Sequence, residues 1–403
     1  MRRDPAQPLP AAPDPWVSSE MPTPRDGPPW HMTEMIEAEP ALAERLLRRL
    51  AAPDGQAARL ATAIRSTAAA RRPILVTGCG TSEHAALAVG EILREAMAAA
   101  GLPSRLGQSG APVAVQAFEG SLEASLGGSS SLVIGISHEG GTWATNRALE
   151  AAKRAGSTVA LVTVSDRSPG AAIADLVVAT DEQDQSWCHT VGYLSPILVA
   201  AALAGHLTGQ QPDAGGVARL LAAGLEQAAV DEAERLATSL ATVDRLLVTA
   251  SGADRVTARE LVLKIEEGTH LPAAMRDLET VLHGHLAGMD GATGFILILA
   301  DDREGEARAG RAAGVLRAVA ELGIRAGAIL GAAHEDAIPE ALTPAGRIVA
   351  PSIAGIPSAA HALLASVVPL QLVTERLARA RGVNPDPNRR DDPAYLRAAD
   401  AAG

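Results

Sequence analysis

The sequence has little cysteine, little lysine and few aromatic residues. Its two cysteines, Cys79 and Cys188, lie far apart and form no Cys-x-x-Cys pair, so neither a disulfide framework nor a cysteine metal centre is expected. A net charge of −12 excludes a general attraction to nucleic acid or to an anionic membrane surface. These absences predict a cytoplasmic protein with neither nucleic-acid nor membrane partners.

Long uninterrupted apolar runs are also missing, because charged residues or glycines break them. The start, MRRDPAQPLPAAPDPW, has two arginines followed by prolines and acids, so neither a signal peptide nor a membrane span is expected. Lysine occurs only as Lys153 and Lys264, and arginine supplies the remaining basic charge. The ten histidines show no His-Glu-x-x-His spacing, so we expect no bound metal and no cofactor.

Composition and periodicity divide the chain into segments. The predicted segments are a disordered, proline-rich tail (1–30), N-terminal helices (31–55), a first α/β domain (56–212), a second α/β domain (213–385) and a C-terminal tail (386–403). In the second segment, Thr33 suits the cap of a short helix and Pro40 suits the first turn of the next.

Each predicted domain alternates short apolar strands with helices. The run PILVTGCGTSEHAALAVGEILREAM has the pattern of strand, glycine-containing turn and helix, and DRLLVTASGADRVTARELVLKIEEG repeats it in the second half. Alternation of this kind is typical of parallel sheets. The sequence therefore predicts two doubly wound, three-layer α/β/α domains with parallel sheets, related by duplication.

Two loops of the first domain have the chemistry of a ligand site. In open α/β sheets, ligands bind beyond the carboxyl ends of the strands, where a helix N-terminus offers free N–H groups to anions. Residues 79–82 (Cys-Gly-Thr-Ser) and 137–142 (Ser-His-Glu-Gly-Gly-Thr) occupy such positions. Helix capping by Ser and Thr explains one loop of this kind, but two in succession favour a ligand.

At these loops the sequence resembles the tandem sugar isomerase (SIS) domains of the glucosamine-6-phosphate synthase family. The resemblance covers about residues 32–390 and rests on the order and spacing of TEMIEAEP, GCGTSEHAA, SHEGGTWAT, HTVGYL, LVLKIEEGTHLPA, LHGHLAGMD and VVPLQL. It implies a small-molecule partner, a sugar or sugar phosphate. The residues that it nominates for substrate binding are Cys79, Gly80, Thr81, Ser82, Ser137, His138, Thr142 and Thr190.

Two further positions bear on the identity of the ligand. Glu139 stands where the family carries a second phosphate-loop serine, and a carboxylate beside a phosphate is repelled by it. Either Glu139 points away, or it binds the hydroxyl or ammonium group of a neutral or amino sugar. Trp143 and Trp187 flank the ligand loops, where each could pack on a sugar ring or serve ordinary domain packing.

Lys264 and Glu267 are three residues apart, so on a helix they share one face. A surface ion pair is the alternative, but both match the lysine and glutamate of the family's isomerase site. Isomerisation needs a base beside a carbonyl and a group that stabilises the enediolate oxygen, roles that suit Glu267 and Lys264 respectively. His283 matches the family histidine implicated in ring opening, with His285 as a rival.

The resemblance implies an amino-sugar isomerase or deaminase that forms at least a homodimer. It would interconvert an aldosamine phosphate such as glucosamine 6-phosphate with a ketose phosphate and ammonia, and we expect no glutaminase domain. The family's C-terminal imine-forming lysine is missing, and a guanidinium cannot replace it. Deglycation of a fructosamine-type substrate and simple aldose–ketose isomerisation are alternative reactions. The alternative classes are a non-catalytic sugar-binding protein and a subunit that needs a partner.

Overall fold

The computed structural model describes residues 3–13, 16, 21–123 and 126–402. It contains two five-stranded sheets in which every strand pair is parallel. The strands of the first sheet are β1 (Ile74–Gly78), β2 (Pro112–Gln116), β3 (Leu132–Ile136), β4 (Thr158–Thr163) and β5 (Leu176–Ala179). The strands of the second are β6 (Arg245–Ala250), β7 (Ala273–Asp277), β8 (Thr293–Leu299), β9 (Arg325–Gly331) and β10 (Gly346–Ala350).

The two sheets have the same topology. The first runs β2-β1-β3-β4-β5, and the second, counted from its own first strand, repeats this order as β7-β6-β8-β9-β10. The central strands β3 and β8 are buried along their whole length, as expected for parallel strands covered on both faces. The prediction of two doubly wound α/β domains with parallel sheets is confirmed, and the repeated order agrees with a duplication.

Helices cover both sheets and connect them. Up to the domain connection they are α1 (His31–Leu50), α2 (Gln56–Ala69), α3 (Thr81–Ala99), α4 (Ala117–Leu122), α5 (Trp143–Arg154), α6 (Pro169–Ile173), α7 (Val191–Thr208), α8 (Ala214–Ala223) and α9 (Gln227–Leu240). Beyond it they are α10 (Asp254–Thr269), α11 (Gly305–Glu321), α12 (Ser358–Ala380) and α13 (Pro393–Ala402). Short 3₁₀ turns lie at Thr280–Leu282, His285–Gly288, Ala332–His334 and Glu340–Leu342.

The division of the N-terminal segment at Pro40 needs correction, because α1 is one continuous helix with Pro40 inside it. Asp386 caps this helix, accepting hydrogen bonds from the N–H groups of His31 and Met32, both at 2.9 Å. Thr33 lies one turn inside, where its hydroxyl accepts from the N–H of Trp30 (3.0 Å). A buried apolar face and this distant cap keep the helix intact through the proline.

A shared hydrophobic core joins the two domains. Its centre contains α7 and α12, and one cluster of buried side chains continues from α1 and α3 into α10. Helix α7 is long and apolar enough to cross a membrane, yet 89% of it is buried inside the protein, which is the setting of a core helix. Helix α3, which follows β1, therefore packs against α10 of the second domain.

The described part of the predicted N-terminal tail contacts the first domain. Glu182, just after β5, accepts a hydrogen bond from the N–H of Leu9 (2.8 Å) and pairs with Arg45 (3.0 Å). Ala11 also forms an antiparallel bridge with Glu182. These contacts were not foreseen from the composition. Residues 1, 2, 14, 15 and 17–20 of this predicted tail, and 403 of the C-terminal one, lie outside the described residues.

Candidate functional site

The first ligand loop is a tight turn between β1 and α3. Gly80 has φ +58°, a left-handed conformation that favours glycine, and α3 begins at the next residue. A Cβ atom at Gly80 would lie 4.0 Å from the side chain of Leu263 on α10. The turn is therefore seated against the helix of the second domain that carries the predicted catalytic residues.

The second ligand loop follows β3 and ends at the N-terminus of α5. The Ser137 hydroxyl donates to the Thr142 hydroxyl (3.3 Å), and Thr142 is the residue that precedes α5. The Thr145 hydroxyl contacts the sulfur of Cys79 at 3.9 Å and so connects the two loops. Burial raises the pKa of the Cys79 thiol, which keeps it protonated at neutral pH. The structure thus brings both predicted loops to one edge of the first sheet.

Behind these loops lies a buried polar network around Asp184. Its carboxylate caps α7, accepting from the N–H groups of Thr190 (3.1 Å) and Gly192 (2.6 Å) and from the Thr190 hydroxyl (3.3 Å). His138 accepts from the N–H of Asp184 (3.0 Å). Burial tends to raise the pKa of Asp184, but His189, His138 and the N–H donors lower it overall. His138 and Thr190 therefore direct polar atoms into the protein interior.

The helix predicted for the catalytic residues is α10, and it presents three charged side chains on one face. Lys264 Nζ donates to the Glu267 carboxylate and lies 3.6 Å from Glu260 Oε1. The side chains of Lys264, Glu260 and Glu267 are 1%, 0% and 19% exposed. The alternative of a solvated surface ion pair does not describe this buried cluster.

The charges of this cluster follow from burial and proximity. Burial by itself lowers the pKa of the Lys264 ammonium, but Glu267 and Glu260 outweigh burial and raise it. Burial by itself raises the pKa of Glu260. Lys264 and His84 outweigh burial and lower this pKa overall, so Glu260 is ionised. For Glu267 burial prevails over Lys264, and its pKa is raised. The result is a permanently charged lysine beside a carboxylate of increased basicity.

Two members of the site, Glu260 and His84, were missed in the sequence. His84 Nδ1 lies 2.7 Å from Glu260 Oε2, and the Thr81 hydroxyl donates to Glu260 Oε1 at 3.2 Å. Glu260 precedes Lys264 by one helical turn, a spacing visible in the sequence that could have indicated it. His84 lies one turn into α3 and offered no comparable signal.

Comparison with known proteins gives the fold, although no family model matches the chain. The glutamine–fructose-6-phosphate aminotransferase (isomerizing) of Gloeobacter violaceus is 28% identical over 336 residues, 78% of this chain and 50% of that protein. The chain thus spans about half the length of this curated relative. The C-terminal domain of glucosamine-fructose-6-phosphate aminotransferase from Francisella tularensis matches with a TM-score of 0.74 at 17% identity, over 90% of this chain and 99% of that one.

This chain has the tandem sugar isomerase fold. Glucosamine-6-phosphate deaminase from Thermotoga maritima shares it, with a TM-score of 0.58 at 16% identity over 85% of this chain and 97% of that one. The resemblance predicted from the separated motifs is therefore confirmed at the level of the fold.

Within this sugar isomerase fold, His283 lies apart from the α10 cluster. It is 69% exposed and follows a 3₁₀ turn beyond β7, where its Nε2 atom is 2.8 Å from Glu279. Its rival, His285, accepts a hydrogen bond from Arg276 Nε (3.1 Å). Within the described residues, the polar partners of these two histidines are Glu279 and Arg276, and neither histidine contacts Lys264 or Glu267.

Trp187 lies beside a small cavity between the two ends of the chain. The Arg390 guanidinium is 3.7 Å from the centre of its ring, a cation–π contact. The cavity, of about 200 Å³, is lined by Trp187, Gln185 and residues from the segments 21–24 and 386–391. Trp143, in contrast, is 61% exposed at the N-terminus of α5. One face of Trp187 is therefore occupied by the chain itself.

Metal ligation finds no support in the described residues. Within residues 3–13, 16, 21–123 and 126–402, no three His, Cys, Asp or Glu side chains are arranged so that they could hold a metal ion.

Proposed function

We propose that this chain is a sugar-phosphate isomerase that acts on an amino sugar. It interconverts an aldosamine phosphate such as glucosamine 6-phosphate with a ketose phosphate and free ammonia. The observation that carries this proposal is the buried Lys264–Glu267 pair on α10, placed against the glycine turn at Gly80. The similarity to an aminotransferase half and to a deaminase supports it.

The chemistry begins with the open-chain aldosamine. Glu267 removes the proton from carbon 2, beside the aldehyde, and its raised pKa brings it closer to the basicity that this step needs at neutral pH. Lys264 stays charged and stabilises the oxygen on carbon 1 as negative charge develops there. Glu267 returns the proton to carbon 1, and the carbon 1 oxygen takes a proton from the nitrogen. Water then hydrolyses the resulting imine at carbon 2 to the ketone and ammonia.

An amino-sugar substrate is compatible with the two departures from the family pattern. The substrate brings its own nitrogen, so an imine forms without the missing tail lysine. An ammonium group also offers a cationic partner to Glu139, which is half-buried in the second ligand loop. Gly80, Ser82, Ser137 and Thr142 remain the proposed contacts to the sugar and its phosphate.

His283 enters this proposal through a second subunit. Its side chain contacts Glu279 but is exposed and separate from the α10 cluster of its own chain, so another molecule can approach it. The resemblance to the family implies that a histidine from a neighbouring subunit completes each site. We therefore propose a cytoplasmic homodimer in which the partner's histidine assists ring opening, and which needs neither metal nor cofactor.

Ligand binding and ammonia release test the proposal together. Thermal shifts are measured with glucosamine 6-phosphate, fructose 6-phosphate, galactosamine 6-phosphate and the unphosphorylated sugars. Ammonia release is then followed for wild type, Glu267→Gln and Glu266→Gln, the last an exposed neighbour that serves as matched control. We expect Glu267→Gln to retain binding and to lose turnover by a factor of about 10²–10⁴, with Glu266→Gln unchanged.

Two other outcomes would overturn parts of the proposal. Stabilisation by a phosphosugar without turnover in wild type would support a non-catalytic sugar-binding protein or a partner-dependent subunit. A preference for unphosphorylated sugars would mean that Glu139 has converted the anion loop into a site for neutral or amino sugars.

A further inference from the structure

Glu260 is a buried carboxylate whose partners come from both domains. Its Oε2 atom lies 2.7 Å from His84 Nδ1, and its Oε1 atom accepts from the Thr81 hydroxyl at 3.2 Å. Lys264 Nζ, on the same helix, lies 3.6 Å from Oε1. Thr81 and His84 belong to the first turn of α3, immediately after Gly80. One side chain of the second domain thus holds the start of the helix that follows the sugar-binding turn.

The lysine of this cluster is shared between two carboxylates. Lys264 donates directly to Glu267 and is also attracted by Glu260 from 3.6 Å. A buried carboxylate that lacks enough partners is costly and competes for any nearby cation. How firmly Lys264 remains on Glu267 therefore depends on how well other groups satisfy Glu260.

His84 is the group that satisfies Glu260 most directly. Because Glu260 is ionised it can only accept, so the Nδ1 atom of His84 carries the hydrogen of their contact. The other titratable groups around Glu260 are Lys264 and Glu267 on α10, Cys188 and His189 before α7, and Tyr193 on α7. Of the two histidines near the cluster, His84 and His189, it is His84 whose imidazole contacts Glu260.

We propose that His84 is a positioning residue that, through Glu260, keeps Lys264 on Glu267 and connects the sugar-binding turn of the first domain with the catalytic face of α10. This inference rests on the proposed function for its catalytic consequence, but the arrangement of charges is independent of it. Without His84, Glu260 draws Lys264 away from Glu267. Glu267 then loses part of its counter-ion, and its pKa rises further.

The scarcity of lysine allows a test that needs no turnover. Protein labelled with ¹⁵N-lysine has two Nζ signals, from Lys264 and from Lys153, whose partner Asp175 lies in the first domain. We expect His84→Leu to shift the Lys264 signal and to leave the Lys153 signal in place. His84→Asn, which keeps a donor near the position of Nδ1, restores the Lys264 signal toward that of wild type. An unchanged Lys264 signal in His84→Leu overturns the proposal.

Kinetics test the catalytic consequence. In His84→Leu we expect kcat at neutral pH to fall between about tenfold and a hundredfold, the loss of one charge-assisted hydrogen bond, with KM little changed. The acidic limb of the kcat profile moves to higher pH, because Glu267 must be ionised to act as base. In His84→Asn we expect both kcat and the position of the acidic limb to return most of the way to their wild-type values.

A histidine elsewhere controls for loss of stability. His206→Leu also removes one imidazole hydrogen bond, to the carbonyl of Leu50 at 2.8 Å, but is remote from α10. It should lower the melting temperature without moving the pH profile. If wild type is active and the pH profile is the same in His84→Leu and His206→Leu, the positioning role alone is overturned. If wild type is inactive but the Lys264 signal shifts in His84→Leu, only the proposed function is overturned.

Discussion

The turn after β1 and the turn after β6 occupy the same place in two sheets of identical order, yet their surroundings differ. The first has Gly80 followed by Thr81 and Ser82, and Gly80 is exposed. The second has Gly252 followed by Ala253 and Asp254. Around this second turn, carboxylates of the chain occupy the position at which the first turn is expected to bind a ligand.

The second turn is closed by two aspartates. Asp301, after β8, accepts from the N–H of Ala253 (2.8 Å) and pairs with Arg303 and Arg308, both at 2.6 Å. Asp254, which corresponds to Ser82, accepts from the N–H groups of Ala300 (2.7 Å) and Asp301 (2.9 Å). Backbone donors that suit an external anion are thus satisfied internally. A repeated topology therefore does not imply a repeated ligand site.

Glycine substitution should reveal this difference as a difference in stability. Gly252→Ala places a Cβ atom in overlap with Asp301 Oδ2 and Arg308, so it breaks a buried ion pair as well as straining a backbone with φ +63°. We expect a loss of about 3–5 kcal/mol. Gly80→Ala meets nothing closer than 4.0 Å and should lose about 1–2 kcal/mol from backbone strain. Chemical denaturation measures both, and equal losses would refute the contrast.

Transfer of a carboxylate between the turns should affect binding. Ser82→Asp gives the first turn the residue that closes the second one. If a phosphosugar binds there, repulsion should weaken its affinity about a hundredfold, close to 2.7 kcal/mol. The reverse change, Asp254→Ser, should leave the dissociation constant for fructose 6-phosphate unaltered in calorimetric titrations. Wild-type affinity in Ser82→Asp would place the anion elsewhere.

The smallest of the expected effects is a change of folding stability with pH, which comes from Asp254. Burial raises the pKa of Asp254 from an ordinary value of 3.8 to about 7. The folded state then holds this proton more tightly than the unfolded state, so stability falls as pH rises from about 4 to about 7 and stays level above that. Asp254→Asn removes this titration.

Denaturation of wild type and Asp254→Asn at pH 5 and pH 8 measures that contribution. The free-energy difference between them should change by roughly 2.5 kcal/mol in favour of the variant at the higher pH, the linkage expected for a group that loses its proton near pH 7 in the folded state. Ser82→Ala, at the corresponding position of the first turn, removes no titratable group and should give the same difference at both pH values. If the free energies of unfolding of wild type and Asp254→Asn differ by the same amount at pH 5 and pH 8, this aspartate does not titrate between these pH values.

Local sequence patterns were sufficient for much of the fold and for the face of α10. Alternation of apolar strands and helices predicted parallel sheets, and the spacing of Lys264 and Glu267 placed them on one helical face, as observed. The positions of the two ligand loops followed from the same alternation. Pro40 misled the prediction, because a distant aspartate and the core maintain α1 through it.

Tertiary structure alone decided which side chains meet. The contact of His84 with Glu260 joins residues 176 positions apart, and Asp184 brings together His138 and Thr190, which belong to different loops. The two turns share a glycine at the same position, but the packing of Asp301 and Arg308 closes the second, whereas a Cβ atom at Gly80 in the first would meet nothing nearer than 4.0 Å. Periodicity reports the local path and burial of the backbone, whereas side-chain neighbours, and with them charge and basicity, depend on how distant segments pack.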